Sequence, residues 1–385
     1  MMLPDVLGVS LSFLTNEAFW INVGVLATTY GVFSLGIQLN VGTTGIVNFG
    51  QAGFMAVGSY AMGVLVVKSG VSFWLTLALG IPVVAVAALL VGLPSLRLRA
   101  DYFAISTLAF SEIVRYVADN WDSLTGGNLG LFGYTQSWTD TSAHIDGWLE
   151  RVGIEPTFLL PLLFVNLVVF AVLTALVSLL VRSPWGRVLN AIREDEDAAR
   201  ALGKNTFVYK LQSLSLAAAL AAVAGYMLAI NISILSPQNF DPVLTAYGYV
   251  IVILGGLGSY LGVVVGSFFL IFLLEATRYL DLPLSDARVA ALRFMIVGAV
   301  LMALVVFRPQ GLFGKREELN LRARSGFSRL GASALHPRCD EAVWRRRGRR
   351  RRELRRDGGL DHGADRSERR RQVDALQRRY RLRAR

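Results

Sequence analysis

Few residues in this chain can do chemistry, and their placement narrows what that chemistry can be. Ahead of the C-terminal tail, charge gathers in one island, "RSPWGRVLNAIREDEDAARALGKNTFVYK" at 182–210, where ten residues are charged. Two acid–base pairs lie within apolar stretches, Glu112 with Arg115 and Glu275 with Arg278. Each is spaced i, i+3, so one helix face brings the opposite charges together. Two amides, Asn48 and Gln51, sit in "GIVNFGQAGFMAVGSYAMG", a run rich in Gly, Ala and Ser. The only cysteine is Cys339, so residues 1–313 hold no disulfide and no thiolate metal site. Residues 1–314 show no phosphate-binding loop, metal-ligand cluster or catalytic constellation.

The elements that position these residues are apolar helices. With 54% hydrophobic residues, 17% charged and a mean hydropathy of +0.48, the composition is not that of an ordinary soluble domain. Apolar runs near 19–40, 48–67, 71–95, 101–118, 157–181, 211–230, 246–259, 260–277 and 289–307 approach the roughly 20 residues that a crossing helix needs. Backbone groups cannot stay unpaired in lipid, so these runs predict helices. Their apolar character is continuous, which argues against a membrane β-barrel. The expected fold class is therefore all-α, a polytopic membrane protein of about nine helices (eight to ten). Nothing ahead of the first run resembles a cleavable signal peptide, and that run is expected to act as its own insertion signal.

Charge divides the chain. Residues 1–313 carry 15 Lys+Arg and 18 Asp+Glu, a net of −3, whereas 314–385 carry 24 and 10, a net of +14. The island holds Arg182, Arg187, Arg193, Arg200, Lys204 and Lys210, which places it on the cytoplasmic side. Counting back puts Arg97 and Arg99 inside and the loop 119–156 outside; that loop has one basic residue, Arg151, beside six acids. Counting forward puts Arg308 and the basic end inside, provided 246–259 and 260–277 both cross. Lys68, Arg278 and Arg288 run against the scheme.

Small residues line several spans. Gly258, Gly262 and Gly266 in "GSYLGVVVG" are spaced i, i+4, i+8, a stripe that lets another backbone approach closely. Gly-broken, polar helices serve either packing or a substrate path at mid-membrane. Asn48 and Gln51 are the candidates for such a path. The ion pairs fall near expected external ends, where interfacial anchoring competes with a role inside the membrane. A proton-coupled carrier would need a lone carboxylate deeper in the membrane, and the sequence offers none.

Within the island, Ser183-Pro184 reads as an N-cap followed by proline at the first helical position. That helix runs to about Arg193. Asp195 caps a second, short helix with Glu196 and Asp197 in its first turn, Arg200 towards its end, Gly203 at the C-cap and Lys204 beyond. The arrangement matches the macrodipole at both ends. Ala198, Ala201 and Leu202 share a small apolar face suited to a partner's groove; the alternative is a solvated loop that only fixes topology.

"DAARALG" resembles the EAA-type cytoplasmic loop of ABC importer permeases, with Asp197, Ala198, Ala199 and Gly203 in place and aspartate where glutamate is usual. "SPWGRVLNAIREDEDAARALGKN" is similar to permeases for branched-chain amino acids and related amides in Liv-type systems. "LRLRADYFAISTLAFSEIVRYVADN", "LTGGNLGL", "VILGGLGSYLGVVVG" and "FRPQGLFG" agree in the same order, so the resemblance covers nearly all of 1–314. They resemble the M-type subunit more than its H-type partner. The resemblance implies a transmembrane permease domain at 1–314 with a coupling loop at 182–210. Asp197, Ala198, Ala199, Arg200, Leu202 and Gly203 would then engage an ATPase. The implied partners are an H-type second permease subunit, two ABC ATPase subunits, an extracytoplasmic substrate-binding protein and membrane lipid. No cofactor would bind this chain, with ATP and Mg²⁺ on the ATPases, and the location would be a prokaryotic cytoplasmic membrane. Urea or short-chain amides are the alternative cargo; an ion-coupled secondary transporter is the rival of another class, and it leaves "DAARALG" unexplained.

The tail, 315–385, admits three readings. Its basic runs suit anionic lipid, its composition suits disorder, and Trp344 with Tyr380 are too few to form a nucleic-acid stacking platform. The third reading is a frameshift. An ABC ATPase phosphate loop, GPNGAGKSTL, written in G+C-rich codons and read from the third base of its first glycine codon, yields "SERRRQVDAL", the sequence at 367–376. "QRRYR" and "ADR" on either side are compatible with the continuation of such an ATPase. The expectation is a functionless tail read out of frame from a downstream ATPase gene. Sequencing the locus decides it, since other codons at 367–376 would end the idea.

Overall fold

The chain divides into two units, Met1–Lys315 and Arg316–Arg385. The computed structural model describes residues 14–151 and 159–278, with isolated positions from 288 to 313. The basic tail, and all but isolated positions of the expected span 289–307, lie outside the described residues.

Among the described residues the chain is helical, with one isolated β-bridge between Leu131 and Leu235. The long helices are α1 (Glu17–Ile37), α2 (Gln51–Ser69), α3 (Phe73–Ser95), α4 (Ala100–Asn120), α7 (Leu160–Arg182), α10 (Thr206–Ile232) and α12 (Tyr260–Arg278). Shorter ones are α5 (Asp122–Thr125), α6 (Gln136–Arg151), α8 (Pro184–Glu194), α9 (Glu196–Ala201) and α11 (Val243–Gly255). Six are long and apolar enough to cross a membrane, counting α1 together with the π-helical Gln38–Thr44 that continues it. The helix α4 is also 21 residues long, but it carries Asp101, Glu112, Arg115 and Asp119.

Small side chains set the centre of the bundle. The apolar windows of α1 and α10 are 72% and 78% buried, against 28% and 22% for α3 and α7, so the first two form the core and the last two the rim. Along α10, Ala217, Ala218, Ala221, Ala222 and Ala224 are buried, which lets α1 and α2 come near its backbone. A Cβ on Gly58 of α2 would lie 2.6 Å from Ala222 Cα. On the rim, Leu75, Leu90, Val172 and Leu179 remain exposed, as a lipid-facing surface requires.

The span expected at 246–259 needs correction. The helix α11 has 13 residues, about 20 Å at 1.5 Å per residue, and the hydrocarbon core is about 30 Å. The missing length comes from the irregular stretch 233–242, which holds one short 3-10 turn at Pro237–Phe240. Its course runs along α2: Leu235 packs at Gly63, the Phe240 ring lies 5.8 Å from that of Tyr60, and the Thr245 hydroxyl accepts from Ala52 N at 3.1 Å. Irregular backbone is tolerated at that depth where protein surrounds it, and Leu235, Pro237 and Phe240 are buried. The crossing survives as irregular chain plus half-helix.

The glycine stripe also needs correction. Gly262 and Gly266 lie on α12 and face Gly255 of α11, where a Cβ on Gly262 would meet Gly255 O at 2.2 Å. Gly258 is not on that helix; it sits in the turn before it with φ +84°. The expected external loop is ordered in part: Leu131 and Tyr134 are buried, and the Tyr134 hydroxyl donates to Ala229 O at 3.0 Å. Both ion pairs form, Arg115 to Glu112 at 2.8 Å and Arg278 to Glu275 at 3.8 Å. Glu275 also accepts from Asn22 Nδ2 at 3.1 Å, tying α12 to α1.

Candidate functional site

The island folds into two helices joined at an acute cap. Ser183 is extended and Pro184 opens α8, but the Ser183 hydroxyl donates back to Leu180 O at 2.6 Å and does not cap. Gly186, Leu189 and Ile192 are buried, which seats α8 on the bundle. Asp195 then breaks the helix with φ −153° and accepts from Ala198 N at 2.9 Å, capping α9. The short helix closes at Leu202, and Gly203 comes next at φ +79°, a conformation that glycine adopts without strain.

Glu196 anchors this helix. It accepts from Lys210 Nζ at 2.5 Å, Arg200 Nη2 at 2.6 Å and the Thr206 hydroxyl at 3.0 Å. Burial pushes its carboxyl upward, but the hydrogen bond and charge of Lys210, with Thr206 and Arg200, hold it below the usual range. Ala199 is buried against the bundle. Asp197, Ala198, Ala201 and Leu202 face solvent, and Leu202 is 81% exposed. An exposed leucine on a rigid, capped turn is a presented surface. The sequence pattern singles out the cap and the apolar face but misses the part played by Glu196, whose partners lie four to fourteen residues away.

Beneath the pair the first span ends in a break. Residues Gln38–Thr44 are π-helical, Gly45 takes φ +80°, and the chain runs without helix to Gly50. A π-turn inside a helix often marks a functional position. Here it buries Gln38, Asn40, Thr43 and Thr44; the Asn40 oxygen accepts from the Ser213 hydroxyl at 3.2 Å, whereas its Nδ2 makes no hydrogen bond among the described residues. The Thr43 and Tyr260 hydroxyls are 2.6 Å apart, and those of Thr44 and Ser213 are 2.7 Å apart. With its amide oriented to accept, the Gln38 oxygen takes Ser259 N at 2.9 Å and Gly258 N at 2.5 Å.

Asn48 and Gln51 meet beside this break. Asn48 Nδ2 donates to Gln51 Oε1 at 3.2 Å, and Gln51 Nε2 donates to Ala217 O at 2.9 Å. The non-helical backbone is supplied from other helices: Phe49 N donates to the Thr107 hydroxyl at 3.0 Å, and Tyr249 OH donates to Asn48 O at 2.9 Å. Both side chains are buried and spend their amides on bracing the break. A cavity of about 370 Å³ opens beside the break, lined by Thr44–Val47, Arg99, Phe103, Ile192, Arg193, Glu196 and Lys210 among others.

A multi-helix bundle with a polar-braced break and a capped helix turned to the solvent is the design of a multi-pass membrane permease. The chain belongs to the branched-chain amino acid transport system / permease component family, whose profile it matches over residues 19–305. It is 32% identical over 329 residues to the high-affinity branched-chain amino acid transport system permease protein LivM of Escherichia coli (strain K12), covering 82% of this chain and 75% of the relative. The probable branched-chain amino acid transport permease protein LivM of Methanocaldococcus jannaschii is 26% identical, with 74% of this chain and 91% of the relative covered. The autoinducer 2 import system permease protein LsrC of Escherichia coli O157:H7 is 29% identical, with 63% and 67% covered. No solved structure gives a significant match.

Proposed function

We propose that this chain is the membrane-spanning subunit of an ATP-driven importer for branched-chain amino acids. It works by alternating access, with hydrolysis on separate ATPase subunits that carry ATP and Mg²⁺. Its other partners are an H-type permease subunit and an extracytoplasmic substrate-binding protein, in the cytoplasmic membrane of a prokaryote. The observation that carries the ATPase coupling is the α9 surface. Asp197, Ala198, Ala201 and Leu202 are exposed on a helix whose cap, C-terminal glycine and Glu196 anchor hold it rigid, and ordering an exposed leucine in this way gains nothing unless a partner covers it. The cargo rests on the two LivM relatives, named for branched-chain amino acids; LsrC is named for autoinducer 2, so the bundle serves more than one solute.

The test is Asp197→Trp. The Asp197 side chain is 92% exposed, so the substitution disturbs little inside the subunit. Membrane insertion is expected to stay normal while ATPase association and ATP-dependent leucine uptake into vesicles fall together. Normal uptake and association would overturn the coupling role. Uptake of urea or a short amide in place of leucine would overturn the cargo.

A further inference from the structure

We propose that Arg193 is the positioning residue that passes movement of the α8–α9 pair into the π-helical end of the first span. The proposal rests on α9 coupling to an ATPase and says where the displacement goes next. Arg193 stands in the last turn of α8, two residues ahead of the Asp195 cap, so it moves with both short helices. Its Nη1 donates to Gly42 O at 2.5 Å, across 151 residues of sequence. Gly42 lies near the end of the π-turn, where carbonyls run out of helical partners, and Arg193 supplies one from a different element.

Gly45 makes the contact close. A Cβ there would lie 3.1 Å from Arg193 Cγ and 3.4 Å from its Cα, at a φ of +80°. On the same side, Gly258 in the α11–α12 turn would place a Cβ 3.9 Å from Arg193 Nη1. The guanidinium thus bonds the end of the first span and lies beside the turn that joins α11 to α12. Arg193 also lines the 370 Å³ cavity, together with Thr44–Val47 of the break and Glu196 of α9. A push on α9 therefore reaches the first span through Arg193.

The receiving element suits a switch. A π-turn holds one residue more than an α-turn. Expelling that residue turns the downstream chain by about 100°, the angle of one residue in a 3.6-residue turn. Directly downstream lies the non-helical Gly45–Gly50, with Asn48 in it and Gln51 just beyond, held on Ala217. Displacement of the Gly42 carbonyl biases that change because Gly42 belongs to the π-turn itself.

The experiment uses the full complex, with ATPases and binding protein, reconstituted in liposomes. It reads leucine transported per ATP hydrolysed for the wild type, Arg193→Ala and Arg193→Lys. The alanine variant is expected to assemble and hydrolyse ATP while its transport per ATP falls about tenfold, within the usual range of site–site coupling. The lysine variant, which keeps a cationic donor at this position, is expected to recover part of the loss. A transport-to-ATP ratio at the wild-type level in assembled Arg193→Ala overturns the proposal. If that variant does not assemble, Arg193→Gln is read in its place, and a wild-type ratio there overturns the proposal equally. Asp197→Trp is run alongside. Normal ATPase association in that variant sinks the coupling reading itself, whereas lost association with a normal Arg193→Ala ratio sinks only the role of Arg193.

Discussion

Gly262→Ala tests the geometry of the half-helix directly. An alanine Cβ at 262 would sit 2.2 Å from Gly255 O and 2.7 Å from its carbonyl carbon, where ordinary contact begins at 3.4 Å. The shortfall is about 1.2 Å against backbone, so no side-chain rotation relieves it and α12 must move off α11. Overpacking of this kind costs about 1–3 kcal/mol, with a backbone clash at the upper end. Helix propensity returns about 1 kcal/mol, leaving a net loss of about 2 kcal/mol. Gly80→Ala is the matched control. Its nearest neighbour would be Gly58 O at 3.9 Å, so the propensity gain of about 1 kcal/mol stands alone. The two variants should therefore differ by about 3 kcal/mol in opposite directions from the wild type. The assay is the thermal midpoint of the detergent-solubilised chain, monitored by tryptophan fluorescence, with leucine uptake in parallel. The midpoint is expected to fall for Gly262→Ala and to hold or rise for Gly80→Ala. A Gly262→Ala protein as stable as Gly80→Ala would refute the close approach of α11 to α12, and with it the account of the crossing at 233–255.

Asp195→Ala removes the cap of a six-residue helix, a loss of about 1 kcal/mol. ATPase affinity in a detergent pull-down should drop about fivefold, and Asp195→Ser should restore most of it. Gln51→Leu leaves Asn48 Nδ2 buried without its acceptor, at about 1–3 kcal/mol; unaltered stability and uptake would show that the break does not need bracing. Glu196 has a lowered folded value, so its contribution is present above the unfolded carboxylate value and is lost as pH falls through the folded one, below the ordinary carboxylate range. A spin label at Leu202→Cys should gain mobility in that window, and the gain should be absent in Glu196→Gln, where no carboxylate titrates.

Much of this was legible in the chain itself. Continuous apolar runs predicted α1, α2, α3, α7, α10 and α12 to within a few residues, because lipid leaves a backbone no alternative to the helix. Pro184, Asp195 and Gly203 marked the bounds of α8 and α9, because a helix-opening proline, a side-chain cap and a closing glycine are local chemistry; the Ser183 hydroxyl bonds Leu180 O and does not cap. Identical motifs could still have different outcomes. Gly258 and Gly262 share one spacing, yet only the second packs on α11, since the helix begins at Tyr260.

The sequence by itself determined an all-helical membrane protein, the position of its capped surface helices and which residues share their faces. Each of these comes from composition and from interactions within about four residues. The tertiary structure decided where long-range partners meet: Gly42 with Arg193, Gln51 with Ala217, and Thr245 with Ala52. The first and third supply hydrogen bonds to backbone at helix ends inside the bundle, and the second ties the break to the middle of α10. No local pattern encodes them, because each partner lies more than 150 residues away.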